Sequence, residues 1–232
     1  MLHETTYLHL EEIYRKALSK GYHIVSCKDY FLHQEEYKNR KVLINRIDVD
    51  LSLRKVIPII RIIDGLVISG TTVFIRLHAR YNPFSFENFR IIRMIQSAGF
   101  EIGLHSEIKD CEKIWGVPVK KCLDRDAEIF RDMTGELTFG IASHGSNLTG
   151  VNNLDFWKNK DPQKFGILYE AYNPVFFNHF YCSVGLSGWK CYSAGNLIPN
   201  DNRCLCEHLD DNHQIIYFTL HPIKFYERHC YE

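Results

Sequence analysis

The apolar run Lys41-Val42-Leu43-Ile44-Asn45-Arg46-Ile47 ends in two carboxylates one residue apart, Asp48-Val49-Asp50. A run of this kind is a strand buried on both faces, as in a parallel sheet. Side chains alternate along a strand, so Asp48 and Asp50 point the same way. Two close carboxylates repel unless a proton or a cation lies between them. The pair therefore asks for a metal ion, or for one acid held as a base. A helix cap is the bland alternative, since the chain turns helical soon after, but a cap needs only one acid.

The rest of the 232 residues supplies the frame. The spacing predicts a helix over residues 7–20, a short strand over 22–26 and a surface connection over 33–40. Ser52 is the expected cap of a helix carrying Leu53, Val56, Ile57, Ile60 and Ile63, kinked by Pro58 and ended by Gly65. Strands follow over 71–78, 100–105, 137–144 and 215–220, with shorter ones near 167–169 and 180–182. Helices from Ser85 and over 119–133 lie between them. Strands alternating with helices argue for parallel βαβ units in one domain spanning residues 1–232, with residues 1–40 adding a helix and strand. A closed or nearly closed β/α barrel fits the number of units, and such folds carry their chemistry at the carboxyl ends of the strands.

That rule selects Asp48 and Asp50, His78, His105, His144 and His221, each at the end of an expected strand. The chain has 12 histidines, and chance would scatter them over loops and helix faces. Carboxylate and imidazole ligands suit zinc or another divalent first-row ion. Arg46 shares a side with Asp48, which it is placed to pair with, and Trp189 and Tyr192 are aromatic candidates to stack on a bound ring. The formal charge is zero, so no electrostatic footprint for nucleic acid appears, and no run is long enough for a membrane span. Eight scattered cysteines after a start without a basic, apolar leader are expected to be reduced thiols in the cytoplasm. Cys204-Leu205-Cys206 is too isolated to read as zinc-binding, and the sequon Asn147-Leu148-Thr149 reads as a chance match.

Arg46-Ile47-Asp48-Val49-Asp50, Glu101-Ile102-Gly103-Leu104-His105 and Thr219-Leu220-His221-Pro222, in this order, resemble the polysaccharide deacetylase (NodB-homology, carbohydrate esterase family 4) superfamily. Tyr81-Asn82-Pro83-Phe84-Ser85 points to a bacterial surface-polysaccharide subgroup. The resemblance spans residues 40–225. It implies a distorted (β/α) barrel and metal-dependent removal of an N-acetyl group from an amino sugar or nucleotide-sugar precursor. By position, Asp48 would be the base, Asp50 and His105 ligands of zinc, and His221 the acid that protonates the leaving amine. Arg46, His78 and Trp189 would meet substrate. The chain departs from the pattern at Lys109, where a second histidine is expected, so His144 or Glu107 must complete the ligand set, with His144 preferred. The third-motif arginine and proline are absent, and Val184 stands where relatives carry an acid. These departures leave room for a catalytically impaired barrel that binds carbohydrate or a partner enzyme.

Overall fold

A computed structural model describes residues 5–145, 148–185 and 188–227; Asn147 of the sequon and Cys230 lie outside the described residues. The chain begins with α1 (Tyr7–Ser19), β1 (His23–Val25), α2 (Cys27–Leu32) and α3 (Gln34–Tyr37). The strand ending in the two carboxylates, β2 (Val42–Val49), follows, then α4 (Val56–Gly65), β3 (Thr72–Ile75), α5 (Phe86–Ser97) and β4 (Glu101–Ser106). Next come α6 (Ile108–Trp115), α7 (Val119–Thr134), β5 (Ile141–Ser143), α8 (Pro174–Phe177) and β6 (Phe180–Gly185). The last elements are β7 (Gly188–Ser193), β8 (Asn196–Leu197), α9 (Leu205–His208) and β9 (Ile215–Leu220).

Among the described residues nine strands join one sheet, eight of them in the order β5-β4-β3-β2-β9-β6-β7-β8 with β1 beside β2. Every pairing from β5 to β6 is parallel, while β7 and β8 add as antiparallel strands. Strand β1 pairs parallel with the start of β2, opposite Val42–Ile44, and β3 pairs with its end, opposite Arg46–Val49. The two thus lie end to end along one side of β2, with β9 along the other.

Alternation sorts the core into two layers. Leu43, Ile47 and Val49 of β2 join Val73, Ile75, Leu104, Phe218 and Leu220 under the apolar stripes of α1, α4, α5 and α7. Val42 and Ile44 face the other way, with Phe74, Ala142, Tyr181 and Tyr217, against Tyr30, Tyr169 and Phe176. Arg46 and Asp48 share that second face. Gly103 is required there, because a Cβ would come within 2.3 Å of the Phe74 ring. On the helical side the buried Asn45 amide is satisfied: Tyr14 Oη donates to Asn45 Oδ1 (3.0 Å) and Asn45 Nδ2 donates to Thr71 Oγ1 (2.9 Å).

Several expectations shift. The helix after β2 starts at Val56 with Lys55, not Ser52, at its cap, so Pro58 falls in the first turn, where proline is tolerated, and no kink is needed. Strand β3 ends at Ile75 and β5 spans only Ile141–Ser143. The stretch 167–169 is not a strand, although the chain there pairs beside β5 through an Ile141–Glu170 bridge. Among the described residues, β5 and β8 form no ladder with each other. Tyr217 Oη nonetheless reaches across the inner face to the carbonyl of Ala171 (3.0 Å). No helix among the described residues is long and apolar enough to cross a membrane.

Candidate metal centre and acid–base pair

The carboxyl ends of β2, β4, β5 and β9 converge on a cleft of about 440 Å³ lined by Asp48, Asp50, Arg76, His105, His144 and His221, among others. That size is usual for a small-molecule site.

Two of the histidines are oriented from behind. His105 Nδ1 lies 2.9 Å from the Ala142 carbonyl, and His221 Nδ1 lies 2.8 Å from the Val184 carbonyl. A carbonyl only accepts, so Nδ1 carries the hydrogen in both rings and the neutral form keeps its lone pair on Nε2. His144 Nδ1 lies 3.2 Å from Glu107 Oε1, an ion-pair contact without hydrogen-bond geometry, so its ring is placed beside a carboxylate and not fixed by a bond. Its backbone is pinned by Ser106 O and by Asn153 Nδ2, which donates to His144 O (2.9 Å).

The free nitrogens meet at Asp50. His105 Nε2 is 3.2 Å and His144 Nε2 3.6 Å from Asp50 Oδ1. That oxygen is buried and receives no hydrogen bond among the described residues. An orphan carboxylate oxygen facing two imidazole lone pairs is the arrangement a cation satisfies. The three donor atoms lie within 4.8 Å of one another. The same demand shows in His105: burial lowers its proton affinity, but Asp48 and Asp50 outweigh that and raise it. Asp50 is held below the ordinary carboxylate range; burial opposes this, and His105, His221 and His144 override it.

Asp48 is 1% exposed and engaged differently. Arg46 Nε donates to its Oδ1 and Arg46 Nη2 to its Oδ2, both at 2.7 Å. Residues two apart on a strand share a face, which lets the guanidinium fold over its neighbour. Arg46 Nη1 donates to Tyr217 Oη (3.0 Å), and the Tyr172 ring lies 4.5 Å from the guanidinium carbon. Burial pushes the Asp48 carboxyl up, but Arg46 and then His105 outweigh it and hold it low. Oδ2 also faces His105 Nε2 (3.7 Å) and His221 Nε2 (4.0 Å).

Asp48, Asp50, His105, His144 and His221 therefore come together, and three other expected residues do not join them in the cleft. Arg46 is 0% exposed and committed to Asp48, so it positions an acid instead of meeting substrate. His78 lies past the end of β3, outside the cleft lining, with Nε2 2.9 Å from Asp126 of α7 and its ring against Trp115. Trp189 is 4% exposed in the helix-side core, stacked on Phe218 at 6.2 Å. Glu107, the other candidate ligand, is gripped by Arg76, whose Nε and Nη2 donate at 3.0 and 2.6 Å. Burial raises the Glu107 carboxyl, but His144 and Arg76 pull it down to about 2. Lys109 sits in α6 and does not line the cleft.

Arg76 itself carries no motif in the sequence. It ties the site together by donating from Nη1 to the Asp50 carbonyl (2.8 Å) while holding Glu107. The signal that marks it is the one that marks the histidines, a polar residue just past a strand. Glu107 thus acts through His144, as carboxylates behind ligating imidazoles do. Glu107→Gln is expected to weaken divalent-metal affinity about 10–100-fold, read by competition against a chelating dye. The chain matches no family model, no curated protein and no solved structure.

Proposed function

We propose that this chain is a metal-dependent hydrolase that removes an N-acyl group, acetyl first among them, from an amino sugar or nucleotide-sugar precursor in surface-polysaccharide metabolism. The proposal includes the fold type: a distorted β/α barrel of the NodB-homology kind. One observation carries the reading: the orphan Asp50 Oδ1 facing the lone pairs of His105 and His144, beside a second acid held ionised. The motif order along the chain supplies the substrate class.

Asp50, His105 and His144 would hold the ion, and this carboxylate–imidazole donor set suits zinc. When bound, such an ion lowers the pKa of water and polarises the substrate carbonyl. Asp48 is the base. Arg46 keeps it ionised and fixes its plane, and Oδ2 retains a lone pair toward the cleft for a water proton. His221 is the acid. Val184 O holds its Nδ1–H, so the proton it gives to the leaving amine moves at Nε2. Tyr172 and Lys224 line the cleft beside this pair. The reading gives the protein a cytoplasmic address, argued from its unpaired buried thiols, and hence a precursor substrate in place of finished polymer.

Asp48→Asn removes the base while keeping its volume. Turnover of a panel of N-acetylated nucleotide sugars, followed as released acetate, is expected to fall roughly 10²–10⁴-fold with metal content unchanged. A second reading, a catalytically impaired barrel that binds carbohydrate or a partner, is favoured by Arg46 occupying both Asp48 oxygens. It predicts no acetate release by wild type or variant, with sugar binding retained in both.

A further inference from the structure

A second group of donor atoms lies away from the cleft, where β6, β7 and α9 meet. Cys182 and Cys191 are directly paired across β6 and β7, with their sulfurs 3.5 Å apart. Cys191 Sγ is 3.2 Å from His208 Nε2, and that nitrogen is 3.4 Å from Asp201 Oδ2. Cys182, Cys191 and His208 are all 0% exposed. The second ring nitrogen of His208, Nδ1, is 3.2 Å from Asp211 Oδ2. A carboxylate there takes the Nδ1 hydrogen and leaves the Nε2 lone pair aimed at the sulfur and the Asp201 oxygen.

We propose that Cys191, His208 and Asp201 form a structural zinc site, separate from the catalytic centre, with the Cys182 thiol beside Cys191. Zinc–sulfur and zinc–nitrogen bonds at tetrahedral angles separate neighbouring donor atoms by about 3.3–3.8 Å. The observed 3.2 Å between Cys191 and His208 and 3.4 Å between His208 and Asp201 lie close to that range before any ion is placed, and all three donor atoms lie within 4.8 Å of one another. The Asp211–His208 contact is the carboxylate–imidazole support that ligating histidines carry. A thiolate and an imidazole favour zinc over the hard cations. Arg203 donates to both Asp201 oxygens and to Asp211, offsetting the negative charge that a thiolate and two carboxylates would bring. Cys191 and His208 are buried and the Asp201 side chain is 11% exposed, so the site is nearly closed. Its effect is to tie the antiparallel strands and the irregular 194–204 segment to α9.

Cobalt separates this site from the first, because only thiolate ligands give a strong near-ultraviolet charge-transfer band and the cleft offers nitrogen and oxygen alone. Wild-type protein loaded with Co(II) under a phosphine reductant is expected to show that band. Asp50→Ala retains it; Cys191→Ser and His208→Gln lose or shift it. A wild type without the band, or a band surviving Cys191→Ser, overturns the assignment. The wild-type spectrum needs no variant to fold. Zinc is also expected to slow diamide oxidation of Cys182 and Cys191 to a disulfide, and equal rates with and without zinc count against it. Neither readout depends on deacetylase activity.

Discussion

Arg46→Met is expected to destabilise the protein by about 3–5 kcal/mol, seen as a lower midpoint of urea unfolding. Arg46 and Asp48 are 0% and 2% exposed at their side chains. Losing the guanidinium removes the two 2.7 Å hydrogen bonds and strands a carboxylate in a low-dielectric layer of Phe74, Tyr172 and Tyr217. Desolvation decides the size: an intact buried pair contributes little net stability, while a broken one leaves an unpaired charge. The double variant Arg46→Met/Asp48→Asn is therefore expected to recover most of the loss while remaining inactive. If both variants lose stability equally, the pair is not what the arginine serves.

Asp50→Ala carries the second large effect. One equivalent of bound divalent metal is expected to disappear, and acetate release to fall by more than the ~100-fold that an outer-sphere change produces. Isothermal titration with zinc reads the first, since the variant should lose one binding event. Unchanged metal content in Asp50→Ala would falsify the ligand assignment. The alanine leaves His105 and His144 in place, His105 Nδ1 still held by the Ala142 carbonyl and the His144 backbone by Ser106 and Asn153. Loss of metal then reports on the carboxylate oxygen itself.

Much of this site is legible in the sequence because strands announce their own ends. The β2 and β9 runs are apolar on both faces, so Asp48, Asp50 and His221 stand out where the runs stop. Misplaced ends explain the misplaced residues. Reading β3 through His78 assigns the site a histidine that faces α7; the strand ends at Ile75, and Arg76 is the residue that reaches Asp50 and Glu107. Helix α6 escapes the periodicity because its eight residues bury only Ile108, Asp110 and Cys111. Trp189 reads as a sugar platform only until β7 is paired with β6, which turns its ring into the helical layer. Cys182 and Cys191 are nine residues apart, with no motif; antiparallel pairing alone makes them neighbours. Of the barrel expectation, what is shown is a mixed α/β fold with one mostly parallel sheet that carries its polar cluster at one end.

The end-to-end placement of β1 and β3 along β2 bears on where this protein can be cut. Gly70 runs so close to β1 that a Cβ would come within 2.3 Å of the Val25 backbone, and Cys27 N donates to Thr72 Oγ1 (2.7 Å), so the two strands abut. The portion of the chain covered by the deacetylase resemblance starts near residue 40 and would pass for a minimal unit. Trimmed to it, the protein would bare the amides and carbonyls of Val42–Ile44 as an apolar, unpaired sheet margin, the kind of margin that recruits other chains into aggregates. Strand β1 works as the plug in that gap, and soluble expression is expected to depend on keeping it.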